Sequence, residues 1–257
     1  MGTIYLGFLA SLIAGMGTAV GALPILFTTN LKQQWQGILL GVGGGVMLSA
    51  TAFSLIVPGT EAALALGYSQ QQAASIISIG IVIGGVLLWL LHDNFPHEHF
   101  VRGQEGKVTE SFQRLWLFVL AITIHNFPEG LAVGVGFGNG DISHGLPLAI
   151  GIGLQNMPEG LVVALALKEL KYSTSFALGI SVLTGLVEPV GGVFGASIVS
   201  FGQSSLPWAM AIAAGAMLFV IVGEIIPEID RESIAREGAL GIIGGFVAMM
   251  FLDIAFG

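Results

Sequence analysis

Apolar residues run along the chain in eight blocks, each bounded by a short cluster of charged or turn-forming residues. The blocks cover about 3–29, 36–58, 73–92, 115–138, 145–168, 174–200, 207–227 and 238–256. About 20 apolar residues of helix cross the hydrocarbon core of a bilayer, so each block predicts a transmembrane helix. The connections are short except for 93–114, which belongs to the polar stretch HDNFPHEHFVRGQEGKVTESFQR. The opening MGTIYLGFLA lacks the basic start of a signal peptide and its apolar run continues, which predicts a first span rather than a leader. The expectation is an all-α integral membrane protein, with residues 1–257 forming one transmembrane domain.

The charged residues give this array a direction. Every basic residue (Lys32, Arg102, Lys107, Arg114, Lys168, Lys171, Arg231 and Arg236) falls at the end of, or in the loop after, the first, third, fifth or seventh block. Basic loops stay on the cytoplasmic side. The pattern therefore predicts a cytoplasmic 93–114 loop and both termini extracytoplasmic. A missed helix would scramble this sorting.

Composition agrees. Of 257 residues, 54% are hydrophobic and only 9% charged, with a mean hydropathy of +0.89; a soluble domain of this length carries far more charge. The 39 glycines suit close helix packing in lipid. There is no cysteine, which excludes disulfides and thiolate metal sites. A net charge of −8 is unlike that of a nucleic-acid binder.

Against this background a few polar residues stand at mid-span. The fourth block holds IHNFPEG (124–130) and the fifth LQNMPEG (154–160), two copies of one pattern. His125, Asn126 and Glu129 are central in the fourth block, and Gln155, Asn156 and Glu159 in the fifth. Glu188 stands mid-way along the sixth and Met47 mid-way along the second. An intramembrane carboxylate costs at least a few kcal/mol to insert and marks a partner, a pathway or a cavity. His125 and Glu129 are four residues apart, as are Gln155 and Glu159, so each pair shares one helix face. Asn126 and Asn156 sit beside that face. Each helix thus presents two ligand columns with a glutamate between them, placed to bridge two adjacent cations. Pro128 and Pro158 remove an N–H beside the ligands and predict a kink with a freed carbonyl.

The two patterned spans run antiparallel. A second echo joins GGVMLSATAFSLIVPG (44–59) to AGAMLFVIVGEIIPE (214–228), also in antiparallel spans. Together they predict a 3+2+3 inverted repeat with a midplane site, an arrangement found in transporters.

HNFPEG and QNMPEG, with GLVEPVGG (185–192), GVMLSATAFSLIVPG, GAMLFVIVGEIIPE and MMFLDIAFG (249–257), resemble the ZIP (ZRT/IRT-like) family of divalent metal transporters. The likeness is to bacterial GufA-like members and covers nearly the whole chain. It implies eight helices with both termini outside, a homodimer, and metal uptake across the bacterial inner (plasma) membrane. It also implies a binuclear site, one position using Met47, His125, Glu129, Gln155 and Glu159. The other uses Asn126, Glu129, Asn156, Glu159 and Glu188, with Glu129 and Glu159 bridging. Two positions depart from the pattern: Asn156 stands where some bacterial relatives have Asp, and Gly223 where some have His beside the glutamate matching Glu224.

Imidazole and carboxylate ligands suit Zn²⁺ first, with Cd²⁺, Fe²⁺, Mn²⁺ and Co²⁺ also accommodated, and a soft Met47 favours zinc and cadmium. The metal is cargo, not a catalytic cofactor. Outward, Glu61, Asp141 and His144 fall in loops free of cations. On the cytoplasmic side His92, Asp93, His97, Glu98 and His99 crowd a short tract able to bind metal, and with Glu224 they are candidates for an auxiliary site. The expected partners are divalent ions and the lipid bilayer. A metal-selective channel on the same fold is the alternative. An intramembrane metalloenzyme is disfavoured: HExxH is absent, the His–Glu spacing is not the Glu-x-x-His of di-iron bundles, and no separate nucleophile appears.

Overall fold

A computed structural model describes residues 2–27, 32–94, 126–137, 140, 142–169, 171–229 and 234–256. All regular structure among them is helical. We number the passages α1 to α8. The first three are α1, Thr3–Ala22; α2, Gln33–Ala50, continued through Thr51–Ile56 and Val57–Ala65; and α3, Gln70–Asn94. Then come α4, 126–136; α5, Ile142–Glu169; and α6, in two halves, Thr174–Gly185 and Glu188–Ser200. Last are α7, Leu206–Val220, continued through Ile221–Ile225 and Ile226–Ile229; and α8, Ala235–Phe256. Seven of the described helical stretches are long and apolar enough to cross a membrane. The expected span 115–138 is described only from Asn126 onward. The chain is an integral membrane protein of helices, and large apolar side chains on α3 and α8, such as Val82, Ile243 and Ile254, face outward where lipid would lie.

Two passages differ from their expected form. The second block was expected to end at Pro58, yet α2 runs on to Ala65. The residues before the proline form a π-helical turn, Thr51–Ile56, and Pro58 enters the first turn of the next segment, where a missing N–H is no loss. α7 repeats the device, its π turn Ile221–Ile225 preceding Pro227. In both helices the π turn begins four residues after a buried methionine, Met47 or Met217. The sixth block was expected to be continuous, yet α6 breaks at Leu186–Val187 and restarts at Glu188 with Pro189 in its first turn. Pro189 cannot donate to the preceding turn, so the break falls there. Pro158 does the opposite: α5 passes through it as one helix.

Glycine sets how the passages meet. α2 lies on α8 and α3 on α7; α1 lies on α5 and on both halves of α6; α4 lies on α6. At each contact a glycine of one helix touches main chain of the other: Gly45 at Ile242, Gly84 at Ile212, Gly17 at Gly153, and Gly134 at Gly192. With no hydrophobic drive between helices in lipid, this close approach and its dispersion contacts hold the bundle together.

A side chain at such a point has nowhere to go. Gly134→Val is expected to lower stability by about 1–3 kcal/mol or to prevent folding. Gly244, with open space around its missing Cβ, should gain up to about 1 kcal/mol on substitution by Ala. Thermal denaturation of the two purified variants in detergent checks the contrast; equal melting temperatures would contradict it.

Candidate metal centre

Three of the helices, α4, α5 and α6, bury polar side chains, and α2 adds a buried methionine. Asn126, Glu129, Asn156, Glu188 and Met47 are each 0% exposed and Gln155 is 3% exposed; Glu159 is half-buried. Gly130 of α4 packs on the main chain of Glu188. Glu129 therefore stands at the level where α6 restarts. Glu188 occupies the first turn of its half-helix, where exposed N–H groups and the helix dipole favour an anion.

α5 carries Gln155 and Asn156 on adjacent faces. Asn156 turns toward α1 and α6: its Nδ2 donates to Glu188 Oε1 at 2.7 Å and to the Ala14 carbonyl at 2.9 Å. Gln155 turns toward α2. Its Nε2 donates to Glu159 Oε2 at 3.1 Å, and its Cγ lies 3.3 Å from where a Cβ of Gly43 would stand. Met47, four residues after Gly43, shares that face of α2.

Several polar atoms of this region are buried without a hydrogen-bond partner: both amide atoms of Asn126, Gln155 Oε1 and Asn156 Oδ1. Buried amides are almost always bonded, and leaving one unsatisfied costs about 1–3 kcal/mol. These unpartnered amide atoms accompany three glutamates, Glu129, Glu159 and Glu188. Among the described residues no three His, Asp or Glu side chains gather closely enough to hold an ion by themselves; one amide bonds Glu188 and another Glu159.

His125 lies outside the described residues, as do His97, Glu98, His99 and Asp141. His92 and Asp93 end α3, and Glu224 lies in the π turn of α7; of their side chains nothing is described.

The sequence reading missed α1. The Ala14 carbonyl accepts from Asn156, and a Cβ at Gly15 or Gly17 would stand 3.2 Å from Glu188 Oε1 or 3.1 Å from Asn156 Cβ. The run AGMGT (14–18) carried the only signal, a stretch of small residues. A second polar link also escaped it: Ser54, in the π turn of α2, donates to Asp253 Oδ1 of α8 at 2.6 Å.

Comparison with known proteins adds a family. The model of the family described as ZIP zinc transporter matches residues 97–253. The chain is 45% identical over 251 residues to zinc transporter GufA of Myxococcus xanthus, covering 98% of this chain and 99% of that one. The chain belongs to the ZIP family and is GufA-like. This ZIP chain is also 43% identical over 240 residues to zinc transporter ZIPB of Bordetella bronchiseptica, covering 93% of this chain and 78% of that one. It is 32% identical over 324 aligned positions to human zinc transporter ZIP11, covering 95% and 94%.

The orphaned Asn126 amide gives a test of stability. Asn126→Leu removes a buried, unpartnered amide at nearly constant volume. It should stabilise the protein by about 1–2 kcal/mol. Melting temperatures of the two purified proteins read the effect, and a loss of stability would contradict it.

Proposed function

We propose that the chain imports Zn²⁺-like divalent ions from outside the cell to the cytoplasm, across the bacterial inner membrane, with residues 1–257 acting as one transport unit. The observation that carries this reading is the set of buried carboxylates and amides on α4, α5 and α6 at mid-span. Lipid-embedded chains keep such groups for a pathway or a site. The relatives are named as zinc transporters, and transport needs no catalytic group.

The ion exchanges its waters for His125, Glu129, Gln155 and Glu159, with Met47 beside them. Asn126, Asn156 and Glu188 form the second position, with Glu129 and Glu159 between the two. Amide and carboxylate oxygens hold zinc moderately, which permits release. The break in α6 supplies a half-helix N-terminus for Glu188, as the discontinuous helices of carriers do for their ligands.

The arrangement we assign is 3+2+3, with α1–α3 inverted onto α6–α8 about the α4/α5 pair and both termini outside. The packing supports it. Exchanging α1, α2, α3 and α4 for α6, α7, α8 and α5 turns the α2/α8 pair into α7/α3 and the α1/α5 pair into α6/α4. It leaves α1/α6 unchanged. The paired π turns of α2 and α7 follow the same exchange. Alternating access then requires one helical group to move against the other, and the chain works as a homodimer.

Uptake of Zn²⁺ into proteoliposomes tests the site: Glu129→Ala and Glu159→Ala are each expected to lower the rate by about tenfold or more. Transport by both at the parent rate would sink the assignment. Because the chain has no cysteine, single cysteines report orientation cleanly. Ser69→Cys should react with an impermeant maleimide on intact cells, and Arg236→Cys only after permeabilisation.

A further inference from the structure

The two ligand columns are not equivalent, and the difference lies in one amide. Asn156 Nδ2 meets two oxygens, the Ala14 carbonyl at 2.9 Å and Glu188 Oε1 at 2.7 Å. A main-chain carbonyl only accepts, so the atom facing it is the nitrogen. Both amide hydrogens are thereby used, one on Ala14 and one on Glu188. Flipping the amide would set Oδ1 against two acceptors.

The clamp is built into α1. Hydroxyls elsewhere in these helices donate to the carbonyl four residues back, as Ser11 does to Gly7, Thr51 to Met47 and Thr60 to Ile56. Thr18 would reach Ala14 in that way. Its hydroxyl is fully buried and bonds to nothing, so the Ala14 carbonyl is left to Asn156. Gly15 and Gly17 bring the α1 backbone into contact with Glu188 and Asn156, so neither side chain has room to swing toward α1.

Charge points the same way. Two divalent ions bring four positive charges, and the carboxylates of the site are Glu129, Glu159 and Glu188. Asn156 offers only a neutral oxygen, and its N–H already neutralises part of Glu188, together with the N-terminus of the half-helix. An uncompensated positive charge at mid-membrane is strongly disfavoured.

We propose that this chain loads one ion rather than two: the Asn156 amide, held between Ala14 and Glu188, takes the place of a second cation. The inference rests on the metal-site reading above and revises it at one point: the position of Asn126, Asn156 and Glu188 takes no ion of its own. Aspartate at 156 has no N–H to donate to Ala14 or Glu188 and adds the fourth negative charge. Asn156→Asp therefore opens the second position.

The experiment counts ions on the full chain, purified in detergent, by equilibrium dialysis against Cd²⁺ and by ¹¹³Cd resonance. Free Cd²⁺ is held about tenfold above the first dissociation constant. The parent should bind one ion with one resonance, and Asn156→Asp two ions with two resonances. Two ions of similar affinity on the parent would overturn this inference and leave the transport reading intact. One ion on both proteins would overturn the role given to the amide. If the variant fails to fold, the parent count alone decides between one and two. A parent that binds no ion would sink the metal-site reading, and this inference with it.

Discussion

The hydrocarbon core of a bilayer offers no hydrogen bonds, so every polar group placed there must find its partner within the protein. That constraint accounts for the helices, which satisfy their own main chain. It also makes each departure from helix informative. The π turns of α2 and α7 and the break in α6 each release main-chain groups, and each adjoins a proline in the next helical turn. In α6 the restarted helix opens with Glu188 in its first turn. The protein tolerates broken helix where a polar partner stands, and it places a carboxylate at the break.

The same constraint explains why the site lies where small residues meet. Asn156, Glu188 and the Ala14 carbonyl lie within hydrogen-bond distance because α1, α5 and α6 touch backbone to backbone. Glycine in a helix forgoes up to about 1 kcal/mol of propensity. Here that loss is offset by dispersion contacts between main chains and by satisfaction of a buried amide and carboxylate. The glycines that join the helices also bring these polar groups together. The Asn126 amide and the oxygens of Gln155 and Asn156 remain buried without a hydrogen bond.

The membrane-crossing helices were readable as a class because lipid imposes a length and an apolar composition, and seven described stretches meet both. Gln155 and Glu159 were readable as a pair because helical spacing alone puts them on one face, and they are hydrogen-bonded. The end of α2 was not readable. A Pro–Gly pair looks like a stop, and only the widened turn before it lets the helix continue to Ala65. Pro158 and Pro189 look alike in sequence, each beside a glutamate, yet one lies inside a continuous helix and the other begins a new one. What distinguishes them is the neighbour: the restart of α6 packs under Gly130 of α4, while α5 at Gly160 meets the main chain of α1.

The sequence by itself determined the medium, the helices, the sorting of charge and the short set of polar residues at mid-span, because these follow from local composition and periodicity. The tertiary structure decided which of those residues touch. The Asn156–Glu188 bond joins residues 32 apart, and the Asn156–Ala14 bond joins residues 142 apart. No periodicity extends over such separations; they are fixed by which glycine faces which backbone. The contribution of α1 was invisible for the same reason, since a main-chain carbonyl carries no mark in the sequence of the residue that will bond to it.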